Sequence, residues 1–150
     1  MDTFILFTLV GTTYAVRTRD VLHMEMVEEI TPVPNATASV EGVVFSRGQV
    51  VPVVNLRARF GFERIPPDLR SRLLIVQSNG RTVGLMVDSA REFARIAPET
   101  IRPPQDALTR LSGRYLEGIA IAQDRIILIL DLSAVIEIAE PLELGAKESV

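Results

Sequence analysis

The 150-residue sequence has no cysteine, no tryptophan and a single histidine, and aromatic residues make up only 5% of it. Without cysteine the chain can form no disulfide, no thiolate zinc site and no cysteine nucleophile, which agrees with a reducing compartment. A net charge of −3 argues against a general electrostatic surface for nucleic acid or anionic membrane. Because no apolar run reaches the roughly 18 residues of a membrane span, we expect a soluble cytoplasmic protein.

Side chains that could carry catalysis are scarce. His23 lies beside Met24 and Met26, and a lone histidine in such a stretch is more often a packed or surface strand residue than a base. The sequence has no His-Glu-x-x-His, no glycine-flanked serine, no phosphate-binding glycine loop and no dinucleotide fingerprint. We therefore expect no catalytic residue, no cofactor and no metal, and we expect that the protein is not an enzyme.

One enzymatic alternative is an aspartic protease, in which two similar β units each contribute a carboxylate and the two share one proton. The equivalent positions here are Asn55 and Asp131. An amide cannot take the role of the second carboxylate, so the sequence disfavours this alternative.

A second alternative is a barrel that binds single-stranded nucleic acid through basic charge and aromatic stacking. The residues that would serve are Arg57, Arg59 and Arg64 with Phe60 and Phe62. A solvated barrel rim explains them more simply in an acidic chain.

The most informative feature that is present is an internal repeat. The pattern of Gly42 and the apolar strands that end in Asn55-Leu56 returns 76 residues later at Gly118 and Asp131-Leu132. A weaker echo relates residues 11–16 to residues 80–85. Hydrophobic residues, mostly Val, Ile and Leu, make up 47% of the chain, and this composition favours strands.

The length fits one domain, residues 1–150, made of two small subdomains. A barrel of roughly 70 residues is marginal alone, so the two halves should share a core. We predict approximate subdomains 1–68 and 69–140, with residues 141–150 as a flexible tail. A crossing of the N-terminal strand into the other subdomain remains an open alternative.

Apolar runs bounded by turn residues predict strands and hairpins. The predicted strands are 4–10, 13–16, 21–30, 42–45, 49–56, 73–77, 82–87, 93–101 with a turn near Pro98, 115–121 and 125–130. One helical turn is predicted at 36–41, a linker at 60–72 and a short helix at 106–114. Leu132, Val135 and Ile136 share one helical face, which predicts a C-terminal helix that ends before Pro141.

Several motifs, taken together, resemble the CheW chemotaxis adaptor family. In the first half these are Tyr14-Ala15-Val16 and residues 30–35, 40–43 and 47–61, and in the second half residues 83–88, 101–104, 115–118 and 128–132. The match extends from about Phe4 to Ile138, and the order and spacing of the motifs make it specific.

The resemblance implies an all-β fold of two intertwined five-stranded, SH3-like β-barrel subdomains packed on a shared hydrophobic core, with a short C-terminal helix. It also implies a non-enzymatic adaptor. Such an adaptor couples the cytoplasmic tips of methyl-accepting chemoreceptors to the regulatory domain of a CheA-type histidine kinase, and is recruited to receptor arrays at the inner face of the membrane without inserting into it. A kinase-regulatory-domain-like module, which has the same fold, remains an alternative.

The resemblance and the chemistry together nominate candidate site residues. Arg47 matches an arginine that the family associates with receptor contact, and its planar group suits bidentate pairing with carboxylates. The receptor-binding candidates are Arg47, Ser46, Phe45, Val43, Val21 and Met24, of which Val21, Met24, Val43 and Phe45 could equally be core residues. Glu117 and Arg125 are the candidates for kinase binding. His23 occupies the position of a glutamate in many members of the family.

Overall fold

The computed structural model describes residues 2–104 and 112–139, and within them the chain forms ten β-strands and two α-helices. The first five strands are β1 (Asp2–Leu9), β2 (Thr12–Arg17), β3 (Val21–Met26), β4 (Val40–Ser46) and β5 (Gln49–Asn55), followed by helix α1 (Leu56–Arg59). The second five are β6 (Arg72–Ser78), β7 (Arg81–Val87), β8 (Ser89–Ile96), β9 (Leu116–Ala122) and β10 (Arg125–Leu130), followed by helix α2 (Leu132–Ala139).

The strands form two five-stranded sheets, which we call the first sheet (β8-β1-β2-β10-β9) and the second sheet (β3-β6-β7-β5-β4). The two orders become identical when β1–β5 are matched with β6–β10. Each sheet therefore contains the opening hairpin of one repeat and the remaining three strands of the other. The matching extends to register, because parallel pairing places Val53 beside Gly84 in the second sheet and Ile129 beside Ala15 in the first.

The predicted division near residue 68 does not coincide with the boundary between the sheets. Strands β6 and β7 lie beyond residue 68 yet pair with β3 and β5, while β1 and β2 pair with β8 and β10. Both strands of each opening hairpin, β1–β2 and β6–β7, lie in the sheet that the other repeat completes. The physical reason is that the opening hairpins are apolar on both faces and need cover on both.

Strand β1 illustrates this double burial. Phe4 and Leu6 lie in an apolar cluster formed only by strands of the first sheet and the segment that follows β8. Ile5 and Phe7 point the other way, into a larger cluster shared by both sheets. Strand β6 shows the same alternation: Leu73 and Ile75 lie in the core of the second sheet, and Leu74 and Val76 lie in the shared cluster. The residues that the structure describes therefore form three apolar cores: one within each sheet and one between the sheets.

Four two-residue turns close the hairpins, and all have the positive φ values of type I′ turns. They are Val10-Gly11, Arg47-Gly48, Asn79-Gly80 and Gln123-Asp124. This turn type matches the right-handed twist of the flanking strands, so the hairpins predicted from the sequence are well formed.

The repeated glycines mark the places where the chain crosses itself. A Cβ on Gly42, which has φ +147°, would lie 2.1 Å from the carbonyl oxygen of Thr31. A Cβ on Gly118 would lie 2.5 Å from Cγ2 of Ile101. Two isolated bridges lie at these contacts. Thr31, in the segment after edge strand β3, pairs with Val43 of β4, and Arg102, in the segment after edge strand β8, pairs with Ile119 of β9. In each sheet the segment therefore connects one edge to the other. Each sheet thereby closes on its own core.

Helix α2 is confirmed, whereas other local predictions differ. Leu132, Val135 and Ile136 of α2 are buried in the shared core, and Asp131 Oδ1 accepts the N–H of Ala134 at 3.2 Å as an N-terminal cap. The predicted helical turn at 36–41 is wrong, because that segment forms turns that lead into β4. Strand β3 ends at Met26 and not at residue 30, and β8 begins at Ser89.

The predicted helix at 106–114 falls largely on residues that the structure does not describe, although Ser112–Tyr115 form a 3₁₀ turn. The predicted tail, 141–150, lies outside the described residues. Among the helices of the described ranges, none combines the length and the apolar character needed to cross a membrane.

Candidate docking surfaces

Arg47 occupies the exposed tip of the β4–β5 hairpin. Its φ of 47° lies in the left-handed region, which is unfavourable for a long side chain and favours glycine, asparagine or aspartate. The equivalent turn between β9 and β10 uses Gln123 and Asp124 in the same conformation. The turn type itself requires this positive φ, and the β1–β2 turn imposes it on Val10 as well.

A polar cluster lies immediately behind this turn. The Ser46 side chain is buried, and its hydroxyl donates to Glu25 Oε2. His23 Nε2 lies 2.6 Å from the same oxygen and 2.9 Å from Ser46 Oγ. His23 and Glu25 belong to β3 and Ser46 to β4, the two edge strands of the second sheet. Strands β3 and β4 share no backbone pairing in the sheet order, but hydrogen bonds between these side chains connect them.

The charge on Glu25 is stabilised by these neighbours. The hydrogen bond from Ser46 has the largest effect and, together with His23 and the charge of Arg47, holds the pKa of Glu25 below its usual value against the opposing influence of burial. The trio does not form a serine-hydrolase triad, since one imidazole nitrogen faces both Ser46 and Glu25. In a triad the two ring nitrogens face different partners.

Exposed apolar side chains surround the Arg47 turn and define the first patch. Phe45 is 77% exposed and lies directly across the hairpin from Val50, which is 66% exposed. The outward face of β3 adds three further residues: Leu22, Met24 and Met26. Clustered apolar groups of this size on a surface are typical of protein contact sites.

The second patch lies at the equivalent place on the first sheet. Ile121, which is 72% exposed, pairs across the β9–β10 hairpin with Ile126, which is 63% exposed. These residues follow Phe45 and Val50 by the repeat interval of 76. Phe93, on edge strand β8, is 59% exposed and corresponds to Met24 of β3. Val50, Phe93, Ile121 and Ile126 are not among the site residues predicted from the sequence.

The other receptor-binding candidates are less accessible. Val43 is half-buried, and its backbone exchanges hydrogen bonds of 2.8 and 2.9 Å with Thr31. Val21 packs against the shared core. Met24 and Phe45 project outward from the second sheet, which also carries the Arg47 turn, while Val21 is a packing residue.

Both kinase-binding candidates are engaged in ion pairs within the chain. Glu117 accepts two hydrogen bonds of 2.6 Å from Arg17, and this contact, as the largest influence, raises the pKa of Arg17 above its usual value. Arg125 donates to both carboxylate oxygens of Glu92 at 3.0 Å. Arg125 flanks the second patch, because it precedes Ile126, while Glu117 lies at the start of the same strand as Ile121.

Asp88, between β7 and β8, accepts hydrogen bonds both from an arginine that follows the second sheet and from a turn of the first sheet. Arg57 Nε and Nη2 donate to the two carboxylate oxygens of Asp88 at 2.8 and 2.6 Å, and the Val10 N–H donates to Asp88 Oδ2 at 2.9 Å. Burial by itself would raise the pKa of Asp88, yet these hydrogen bonds and the charge of Arg57 hold it below its usual value. A cleft of about 350 Å³ adjoins the pair.

The two alternative functions find little support in this geometry. Asn55 and Asp131, the positions of an aspartic pair, each cap a helix, and Asn55 Oδ1 accepts the Ala58 N–H at 3.1 Å. Phe60, needed for base stacking, is buried. Arg57 and Arg64 are paired with Asp88 and Glu41.

Over the described ranges, no group of three or more His, Cys, Asp or Glu side chains is arranged to hold a metal ion.

Comparison with known proteins identifies the family. Residues 3–140 match the CheW-like domain. The chain belongs to the CheW-like domain family. It is 31% identical over 105 residues to the chemotaxis protein CheW of Rhizobium meliloti (strain 1021), covering 70% of this chain and 68% of that relative. It is 33% identical over 137 residues to CheW of Thermotoga maritima, covering 87% of this chain and 83% of the relative.

The crystal structure of the scaffolding protein TtCheW from Thermoanaerobacter tengcongensis superposes with a TM-score of 0.81 at 31% identity, and the match covers 87% of this chain and 84% of that one. The CheW-like resemblance and the all-β fold class predicted from the sequence are thus confirmed. What the sequence-based prediction missed is the second patch, and with it the equivalence of the two patches on this CheW-like scaffold.

Proposed function

We propose that this chain is a non-enzymatic chemotaxis adaptor that couples chemoreceptor signalling tips to the regulatory domain of a CheA-type histidine kinase. It acts in the cytoplasm, at receptor arrays on the inner face of the membrane. The observation that carries the proposal is the pair of exposed apolar patches at equivalent places on two sheets of one CheW-like chain. A protein that binds two partners at once raises the effective concentration of one partner near the other, and this needs no catalytic site.

The two patches are assigned to different partners by what borders them. The first patch carries Arg47, whose guanidinium suits carboxylates, and we assign it to the receptor tip. The second patch carries Arg125 and Glu92 at its edge, and we assign it to the kinase regulatory domain. Phe45 and Ile121 are the exposed centres of the two patches and are expected to contribute most of the binding energy.

Single substitutions test this division. Phe45→Ser should weaken capture of a receptor signalling-tip fragment at least tenfold and leave kinase binding unchanged, while Ile121→Ser should do the reverse. Arg47→Glu should keep the fold, because its side chain is exposed, and should weaken receptor binding only. Pull-down and titration with each purified partner measure these effects.

Leu69→Ser is the matched control. Leu69 is 81% exposed, as apolar as the tested residues, and lies in the loop before β6, outside the residues that define the two patches. It should bind both partners as the unaltered chain does. If Phe45→Ser and Ile121→Ser also bind both partners with unchanged affinity, the proposal is wrong.

A further inference from the structure

The outer edge of strand β9 is only partly covered by the chain's own backbone. Ile119 exchanges two backbone hydrogen bonds with Arg102, at 2.8 and 2.9 Å. If this antiparallel bridge continued, Thr100 would pair with Ile121. Instead Thr100 lies in a 3₁₀ turn, and its N–H donates to the carbonyl of Ala97 at 3.0 Å. The covering segment therefore leaves the edge before it reaches Ile121.

The backbone N–H and C=O of Ile121 point away from β10. Along an antiparallel strand, residues that exchange hydrogen bonds with the partner strand alternate with residues whose backbone groups point outward. Ile119 is of the outward kind because it bonds Arg102, and Ile121 follows two residues later with no bulge between them. Within residues 2–104 and 112–139, no backbone partner is found for these groups of Ile121. Ile121 thus presents one open donor and one open acceptor on an edge strand.

The second sheet has a similar arrangement at Phe45. Val43 exchanges hydrogen bonds with Thr31, and Pro52, which lies opposite Val43, has no N–H to donate. Phe45 follows Val43 by two residues, so its backbone groups also point outward. The 3₁₀ turn that leads the covering segment away from the first sheet has no counterpart in residues 27–30. The edge is therefore more open at the second patch than at the first.

The side chains around Ile121 indicate what kind of strand the edge would accept. Ile121 and Ile126 form an exposed apolar pair across the hairpin. Arg125 is already paired with Glu92, which leaves the exposed Asp124 as the acidic group of the turn. A matching segment is extended and apolar, with a cationic residue on the side of the turn.

We propose that the second patch binds its partner by strand addition, in which an exposed edge strand of the kinase regulatory domain pairs with β9 at Ile121. Unpaired backbone groups on a sheet edge are a template for a strand from another chain. In this mode the main chain provides affinity, and the side chains on alternate positions provide specificity. The inference rests on the proposed assignment of the second patch to the kinase.

Amide hydrogen exchange of the full chain tests the open edge, first alone and then with the purified regulatory domain of a CheA-type kinase. In the free chain the N–H of Ile119 should be protected, and those of Ile121 and Phe45 should exchange quickly. In the complex the N–H of Ile121 should gain about tenfold protection or more, while that of Phe45 stays unchanged. A protected Ile121 in the free chain, or an unprotected one in the complex, overturns the proposal.

A backbone substitution separates the main-chain contact from the side chain. Replacing Ile121 by its α-hydroxy acid turns one amide into an ester, which removes the N–H and keeps the side chain. Loss of this hydrogen bond should weaken binding of the regulatory domain by about three- to tenfold. The same replacement at Leu69 is the matched control, because it also weakens a carbonyl that accepts a hydrogen bond, that of Asp68 from Ser71 at 3.1 Å. The Leu69 ester should bind as the unaltered chain does.

The comparison with Ile121→Ser distinguishes this proposal from the proposed function. If Ile121→Ser weakens the complex but the Ile121 ester binds as tightly as the Leu69 ester, the patch acts through side chains alone and strand addition is wrong. If the regulatory domain does not bind the unaltered chain, the assignment of the kinase to the second patch fails, and strand addition fails with it.

Discussion

Asp88→Asn tests whether the ion pair at the seam holds the two sheets together. Asp88 accepts hydrogen bonds from Arg57, which follows the second sheet, and from Val10, in a turn of the first sheet. Val10 has φ 49°, an unfavourable conformation for a β-branched residue that this hydrogen bond helps to hold. Asparagine keeps the shape of Asp88 but has no charge, and its NH₂ group cannot accept the hydrogen bonds that one of the two carboxylate oxygens accepts now.

The size of the effect follows from the exposure of the pair. Removing one partner of a fully buried ion pair costs about 3–5 kcal/mol, whereas an exposed pair contributes about 0–1 kcal/mol. The Arg57 and Asp88 side chains are 17% and 23% exposed, between these limits. We therefore expect Asp88→Asn to lower the free energy of unfolding at pH 7 by about 2 kcal/mol.

The effect should also depend on pH with a defined sign. Because the folded chain holds the pKa of Asp88 below its usual value, the stabilisation is complete above about pH 4, the usual pKa of an unfolded aspartate. It is lost as pH falls through the lower pKa of the folded state, since protonated Asp88 resembles asparagine. The gap between the unaltered chain and Asp88→Asn should therefore narrow in acid.

Urea unfolding followed by circular dichroism at pH 7 and at about pH 3 measures both effects. Asp124→Asn is the matched control, because it makes the same change on an exposed turn where asparagine accepts the positive φ equally well. Its stability should equal that of the unaltered chain. If Asp88→Asn is as stable as the control at pH 7, or if the gap persists unchanged in acid, the ion pair does not link the sheets as argued.

Two further predictions concern the backbone and the shared core. Gly42→Ala should lower the free energy of unfolding by more than about 3 kcal/mol or prevent folding, because the new Cβ would overlap the Thr31 carbonyl. Gly80 also has a positive φ but has open space around it, so Gly80→Ala should lower the free energy of unfolding by only about 1 kcal/mol. Similar unfolding midpoints for the two variants would refute this prediction. Leu85 lies in the core between the sheets, and Leu85→Ala should lower the free energy of unfolding by about 2–5 kcal/mol. The variant should keep a single unfolding transition. Separate transitions for the two sheets would show that the sheets fold independently.

Local sequence patterns predicted most strands because turn chemistry and apolar runs act over a few residues. Asn79-Gly80 and Arg47-Gly48 both occupy the turns that their glycines indicated. The exchange of the opening hairpins between the two sheets could not be predicted from such local patterns. Phe4 to Phe7 are apolar without alternation, which indicates burial on both faces but does not say which strands supply the cover.

The second patch, and Val50 of the first, were missed for a related reason. Ile121 lies in a strand whose inward-facing neighbours are also apolar, so the usual distinction between an apolar face and a polar face is absent. Without that distinction, core is the default interpretation of an apolar strand residue. The repeat itself held the available signal, since bulky apolar residues at positions 45, 50, 121 and 126 recur at the same interval as Gly42 and Gly118.

The two patches share a scaffold but differ in what surrounds them, and this difference bears on how one fold distinguishes two partners. The turn beside the first patch carries Arg47, while the turn beside the second carries Asp124, in the same backbone conformation. Under the proposed function, apolar centres of similar size provide affinity on both sides, and the charges at their edges provide discrimination, because a like charge placed opposite either turn is unfavourable. In that proposal, duplication of the strands gives two docking positions, and divergence at the hairpin turns makes them unlike.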